Sequence, residues 1–155
     1  MHSVVEAQAR LALHMQEHGL KHTKQRDEVL EVFYALGGHA SIDELLVHVQ
    51  SRLAGVGYAT VYRSMKLFVE AGVAHERKFQ DGQTRYEPHM GDTHHDHLIC
   101  LDCSHIFEFE DPVIEDRQAD ICAARHLRPE HHRHEIYARC TLGADCPERQ
   151  AAARS

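Results

Sequence analysis

The sequence predicts an α+β protein: an N-terminal winged helix-turn-helix domain followed by a small C-terminal α/β dimerisation domain. Three observations carry that prediction. Up to residue 87, apolar residues recur at helical spacing in three segments and then give way to a hairpin pattern. Residues Pro88-His-Met-Gly-Asp92 break regularity, and beyond them short strand-like runs flank a single helix. The boundaries that follow are 1–87 for the winged helix, 88–92 for a hinge, 93–146 for the second domain and 147–155 for a disordered tail. A length of 155 residues suits one domain or two small ones.

The elements follow from local signals. Thr23 is placed to cap a helix over Lys24–Leu36, in which Val29, Leu30, Phe33 and Leu36 form the apolar stripe and Gly37-Gly38 the stop. Ser41-Ile-Asp-Glu44 reads as a capping box opening a helix that runs to about Leu53, with Leu45, Leu46, Val49 and Leu53 inward. After the Gly55-Val-Gly57 turn, Tyr58–Ala71 puts Val61, Met65 and Phe68 on one face, leaves Thr60, Tyr62, Arg63 and Lys66 free to point outward, and ends at Gly72. Val73–Phe79 and Thr84–Glu87, joined by Gln80-Asp-Gly-Gln83, form a hairpin. The second half reads as a ligand-rich strand, a strand Ser104–Glu110 with Glu108 and Glu110 on one face, a helix from Asp111-Pro112 to about His126, and a strand Arg133–Cys140. So small a unit, with open sheet edges, is best completed by a second copy sharing the sheet.

The stretch Thr93-His-His-Asp-His-Leu-Ile-Cys-Leu-Asp-Cys103 holds His94, His95, Asp96, His97, Cys100 and Cys103, a ligand density that marks a metal-binding protein. On a strand, successive side chains alternate, so His95 and His97 look one way while His94 and Asp96 look the other. One strand then feeds two sites. Cys100 and Cys103 make a softer pair that Cys140 and Cys146 can complete to four sulfur ligands for tetrahedral zinc. Cys122, inside the predicted helix, is the odd thiol.

Composition limits the alternatives. No apolar run approaches the ~20 residues of a membrane span and the N-terminus has no signal-peptide pattern, so the expected location is the cytoplasm, where five cysteines read as metal ligands and one free thiol rather than as a disulfide framework. The net charge of −7 argues superficially against nucleic acid, but residues 1–87 carry ten Lys/Arg against eleven Asp/Glu and residues 88–155 seven against thirteen. The acidity lies with the ligands, and cation loading would offset part of it.

Taken together, Ala59-Thr-Val-Tyr-Arg63, Phe79-Gln-Asp-Gly82 with Arg85-Tyr-Glu87, and His94 through Cys103 resemble the ferric uptake regulator (Fur) family of bacterial metal-responsive repressors, from about Gly19 to Cys146. The resemblance implies homodimers with an N-terminal winged helix and a C-terminal dimerisation domain. It implies a sensory metal site of His39, Glu87, His95, His97 and Glu108, a second site of His94, Asp96, Glu115 and His132, and structural zinc on Cys100, Cys103, Cys140 and Cys146. For Glu115, in the first turn of a helix, favourable interaction with the helix dipole is the plainer alternative. The spacing Cys140-Thr-Leu-Gly-Ala-Asp-Cys146 departs from the family, enclosing five residues where two or four are commoner. For DNA the resemblance implies Tyr62 and Arg63 in the major groove and Lys21 in the minor groove of an A·T-rich palindromic operator.

These assignments imply an Fe2+-dependent repressor of iron-uptake genes. His39 and Glu87 belong to the DNA-binding half or its edge and His95, His97 and Glu108 to the other, so one ion would fix the pair of winged helices at an operator-matching separation. Mn2+ is the alternative signal within the family. Zinc is less favoured because zinc sensors generally lack the acid at Asp96, and peroxide because peroxide sensors usually have Asp where Glu87 and Glu108 stand. From other classes, a metal-dependent hydrolase would leave the winged helix unexplained, and a metal store would need no Tyr62-Arg63 helix. The remaining histidines read as exposed polar residues, His134 being the hardest to dismiss because it shares a strand with His132.

Overall fold

The computed structural model describes residues 4–79, 82–89 and 95–152. The chain divides into two compact units, residues 1–92 and 93–155.

In the first unit, helices α1 (Val4–Glu17), α2 (Lys24–Leu36), α3 (Ile42–Arg52) and α4 (Tyr58–Glu70) precede a hairpin of β1 (Ala74–Lys78) and β2 (Thr84–Pro88). This is a winged helix with one helix more than the three the sequence predicted. The added helix α1 turns Ala7, Leu11 and Met15, spaced by four, into the core. The caps of the next two helices are local. Thr23 accepts a hydrogen bond from the Arg26 amide at 3.3 Å. Ser41 and Glu44 exchange both bonds of the capping box, Glu44 N–H to Ser41 Oγ at 3.2 Å and Ser41 N–H to Glu44 Oε2 at 2.7 Å.

Helix α4 has a buried side of Val61, Ser64, Met65, Leu67 and Phe68. It ends at Gly72, whose φ of +65° favours glycine; an added Cβ would also come within 2.7 Å of Arg10 Nη2, the end of a flexible side chain that can swing aside. Strands β1 and β2 pair from Ala74↔Pro88 to Lys78↔Thr84. A further bridge joins Ala40 to Tyr86, with amide-to-carbonyl distances of 2.9 and 2.8 Å, and ties the loop before α3 to the wing. The core cluster runs from Ala7 to Tyr86 and includes Phe33, Leu45, Met65 and Phe68. Pro88 of the expected hinge belongs to β2, and residues 90–92 lie outside the described residues.

Two tyrosines of this unit give it an alkaline limit. Burial pushes Tyr34 and Tyr86 up to about 12 from an ordinary 10.0, opposed at Tyr34 by the Arg10 charge and reinforced at Tyr86 by the Glu76 carboxylate. An unfolded chain releases both protons near the ordinary value whereas the folded chain keeps them to about 12. Their contribution to stability is therefore complete below about pH 10 and is lost as pH rises to about 12. Urea unfolding midpoints are expected to fall between about pH 9.5 and 11.5, and less so in a Tyr34→Phe variant.

The second unit is a three-stranded sheet in the order β4 (Ile106–Phe109), β3 (Asp96–Cys100), β5 (Glu135–Ala138), with helix α5 (Pro112–Ala123) connecting its outer strands. β3 is antiparallel to β4, His97 facing Glu108, and parallel to β5, His97 facing Glu135. Asp111 caps α5 by accepting the Val113 amide at 2.8 Å. None of the residues of α5 is buried. Phe107, Val113, Ile121, Leu127, Ile136 and Leu142 all remain exposed.

The tail departs from the sequence expectation. Instead of disorder from residue 147, Pro147–Ala152 forms a short helix, α6, while residues 153–155 lie outside the described residues. Proline at the first helical position needs no amide partner, and the Gln150 amide closes the turn on the Cys146 carbonyl at 3.1 Å.

Candidate metal and DNA sites

The Ala40–Tyr86 bridge sets His39 opposite Glu87, and the side chains meet at 2.7 Å between His39 Nε2 and Glu87 Oε2. Both are almost wholly enclosed, at 3% and 5% side-chain exposure. The other carboxylate oxygen, Oε1, accepts from Arg77 Nε and Nη2, each at 2.9 Å. Glu87 is thus a buried carboxylate with a fixed orientation, one oxygen on a cation and the other on an imidazole. Phe79 closes the far side of His39, with ring centroids 5.7 Å apart.

In the second unit, His95 directly precedes β3 and His97 lies within it. Their rings meet edge to face at 5.0 Å, and His95 Nε2 is 3.9 Å from Glu108 Oε1 on β4. Glu108 reaches this group because it is the antiparallel partner of His97. Glu110 lies beyond the end of β4.

Asp96 points to the opposite face and is 1% exposed. His132 Nε2 lies 3.5 Å from Asp96 Oδ1 and 3.3 Å from Glu115 Oε1, and the three donors all lie within 4.8 Å of one another. Two carboxylates and an imidazole from β3, α5 and the loop before β5 make a compact, partly buried group that suits a divalent cation. His94 falls outside the described residues. His134 reads from the sequence as one of the surface histidines, but its Nδ1 is 3.1 Å from Asp96 Oδ2 and its ring packs on Phe109 at 5.8 Å. Its place on the strand that enters β5 is the one signal the sequence offers.

Cys100, Cys103, Cys140 and Cys146 line one cavity, together with Leu98, Phe107 and Leu142. Each thiol interacts with a neighbour in the series Cys100, Cys103, Cys146, Cys140. The five residues between Cys140 and Cys146 include a 3-10 turn, Gly143–Asp145, which shortens the path and returns Cys146 to the group. The Asp102 amide holds the Cys100 thiol below its ordinary value, and the Arg149 amide does the same for Cys146, so two of the four sulfurs are biased toward thiolate. Burial pushes Cys103 up. Asp102, which carries no signal in the sequence, joins the two cysteine loops by accepting the Cys140 amide at 2.8 Å and Arg139 Nη1 at 2.7 Å.

On α4, Tyr62 and Arg63 are exposed, Tyr62 at 42%. Lys66 follows one turn after Tyr62, its ammonium 5.7 Å from the Tyr62 ring centroid. The hydrogen bond to Glu76 holds Lys66 above its ordinary value. Lys21 is exposed in the loop before α2, where its carbonyl accepts Arg26 Nη1 at 2.6 Å.

A sequence model of the Ferric uptake regulator family matches residues 17–137. The chain belongs to that family. It is 38% identical to the ferric uptake regulation protein of Escherichia coli K12 over 135 residues, which is 86% of this chain and 90% of that one. The ferric uptake regulator of Helicobacter pylori, whose structure is described as revealing three functional metal-binding sites, superposes with a TM-score of 0.85 at 28% identity, covering 94% of this chain and 96% of that one. A zinc-bound manganese uptake regulator superposes with a TM-score of 0.71 at 34% identity, covering 84% and 98%. The chain is thus a metal-responsive regulator with the helical N-terminal and α/β C-terminal domains of its family, whose members are DNA-binding dimers. Among the described residues no helix is long and apolar enough to cross a membrane.

Proposed function

We propose that this chain is an Fe2+-dependent transcriptional repressor of iron-uptake and iron-homeostasis genes, acting as a cytoplasmic homodimer on an A·T-rich palindromic operator. The observation that carries this reading is the buried His39–Glu87 pair, which joins the loop before α3 to the wing of a DNA-binding unit. With His95, His97 and Glu108 it makes a set of three imidazoles and two carboxylates, a hard-to-borderline donor set that suits Fe2+ or Mn2+. A bound divalent ion would supply the charge that holds these ligands together. The residues themselves supply the coupling. His39 is joined through Ala40 to α3 and to the wing, so the orientation of the DNA-binding helices follows the position of this imidazole.

Tyr62 and Arg63 then read base edges in the major groove while Lys21 reaches the minor groove. The exposed apolar residues of the second unit, Phe107, Val113, Ile121 and Ile136 among them, give a second copy a surface to cover. Asp96, Glu115 and His132, with His94, form the second metal site, and the four cysteines form a structural zinc site. Three sites agree in number with the description of the Helicobacter pylori protein.

A manganese signal is the second reading, supported by the likeness to a manganese uptake regulator at 34% identity. The test is anaerobic fluorescence anisotropy of chelator-stripped protein on an A·T-rich palindromic duplex, titrated separately with Fe2+, Mn2+ and Zn2+ at fixed salt. Tightening at the lowest free concentration of Fe2+ supports the iron reading. Preference for Mn2+ replaces the signal, and equal affinity with and without every ion removes the co-repressor mechanism.

At the second site, the Asp96–His134 contact leaves Asp96 Oδ1 toward His132. His134→Ala is expected to weaken ion binding at this site by about 10- to 100-fold, the usual cost of losing a partner of a ligand. Competition titration with a metal indicator measures it, and unchanged affinity would leave His134 without a role there.

A further inference from the structure

The outward face of α4 carries an ordered row of side chains. Tyr58, the first residue of the helix, is 50% exposed and Tyr62, one turn later, 42%. Their rings lie within 10° of parallel with centroids 6.5 Å apart, an offset stack. One turn further on, the Lys66 ammonium sits over the Tyr62 ring and is itself anchored to the Glu76 carboxylate of β1. The opposite side of the helix is buried, so burial does not explain why two large aromatic residues occupy adjacent turns of the exposed side.

We propose that Tyr58 is a second base-reading side chain, packing on a thymine methyl about two base steps from the base met by Tyr62. The inference rests on the reading that α4 enters the major groove. The N-terminal residues of such a helix approach the base edges most closely, and Tyr58 stands one turn nearer that end than Tyr62. Four residues at about 1.5 Å of rise separate the rings by about 6 Å along the helix. That is on the order of two base-pair steps. A phenol ring presents an apolar face, and in the major groove the thymine methyl is the apolar feature to meet. The contacts with Tyr58 and Lys66 hold the Tyr62 ring before DNA arrives, which lowers the ordering cost of binding. Glu76 lines one surface cavity with Tyr58 and Tyr62, but Lys66 neutralises it and the Tyr86 hydroxyl donates to it at 3.4 Å.

The experiment uses the full chain, metal-loaded, and a palindromic duplex enriched by it from a random library. Each thymine is replaced in turn by uracil, which lacks only the 5-methyl group. Wild type is expected to bind on the order of fivefold more weakly at two thymines per half-site about two steps apart. Tyr58→Ala is expected to abolish the sensitivity at one of them and keep it at the other, Tyr62→Ala to do the reverse, and Tyr58→Phe to keep both. A Tyr58→Ala profile identical to wild type, or one weakened uniformly, overturns the inference while leaving the repressor reading intact. Failure of wild type to bind any duplex in a metal-dependent way overturns both. Thermal unfolding of Tyr58→Ala is expected to match wild type, because the side chain is half exposed.

Discussion

Replacing His97 by alanine is expected to abolish the metal-dependent gain in operator affinity while leaving metal-free binding unchanged. A coupling between an effector and a DNA site is typically worth about 5- to 150-fold, and in the variant that ratio is expected to fall to about one. The argument turns on where His97 sits. It is 5% exposed, on the central strand of its sheet, with its register partner Glu108 on one side and the His95 ring at 5.0 Å. An imidazole so enclosed cannot be replaced by a neighbour swinging in. Glu87→Gln tests the proposed sensory set at another of its ligands. It keeps the volume and removes the charge, and is expected to weaken metal binding while Arg77 loses its ion-pair partner. Two controls separate loss of a ligand from loss of the fold. Occupancy of the second site should persist, because Asp96 points to the opposite face of the strand. The far-ultraviolet spectrum should also be unchanged. If His97→Ala retains the full metal response, His97 is not a regulatory ligand and the proposed sensory set falls.

Much of this arrangement is legible in the sequence because the signals that fix it are local. The capping box at Ser41 and Glu44 and the Thr23 cap set the starts of α3 and α2 within one residue. The period of two along β3 is enough by itself to separate Asp96 from His97. The unexpected helix α1 has a different origin. Its apolar residues fall at Val4, Val5, Ala7, Ala9, Leu11, Ala12, Leu13 and Met15, which mix a spacing of two with a spacing of four, and the packing partners that choose between them come from elsewhere in the unit. The roles of Asp102 and His134 are also long-range. Both depend on β5 lying parallel to β3, which brings residues 37 to 38 positions apart into contact. Likewise nothing near His39 announces Glu87. The Ala40–Tyr86 bridge makes them neighbours, and only the family resemblance points to that pair.

Removing zinc from the cysteine group is expected to unfold the second unit and dissociate the dimer while the first unit stays folded. The buried apolar cluster lies between Ala7 and Tyr86, wholly in the first unit. Among the described residues of the second unit the buried hydrophobic ones are Ile99, Cys100 and Cys146. A unit of roughly 60 residues is marginal even with a normal core. This one leaves Phe107, Val113, Ile121 and Ile136 in solvent until another surface covers them. A tetrahedral sulfur site can supply what the core lacks, since structural zinc contributes about 10–16 kcal/mol of apparent binding free energy in zinc-finger peptides. Here that energy would fix the turn after β3 to the segment after β5, which Asp102 already bridges. Thermal unfolding of the zinc-loaded protein should therefore show two transitions, and the one assigned to the second unit should fall by more than about 10 °C, or vanish, after stripping or in Cys103→Ser. Size-exclusion chromatography should show monomers under the same conditions. Cys122→Ser, on α5 and outside the cavity, should change neither. A stripped protein that keeps both transitions and its dimer would show instead that apolar contact between copies suffices, and that the four cysteines hold no structural ion.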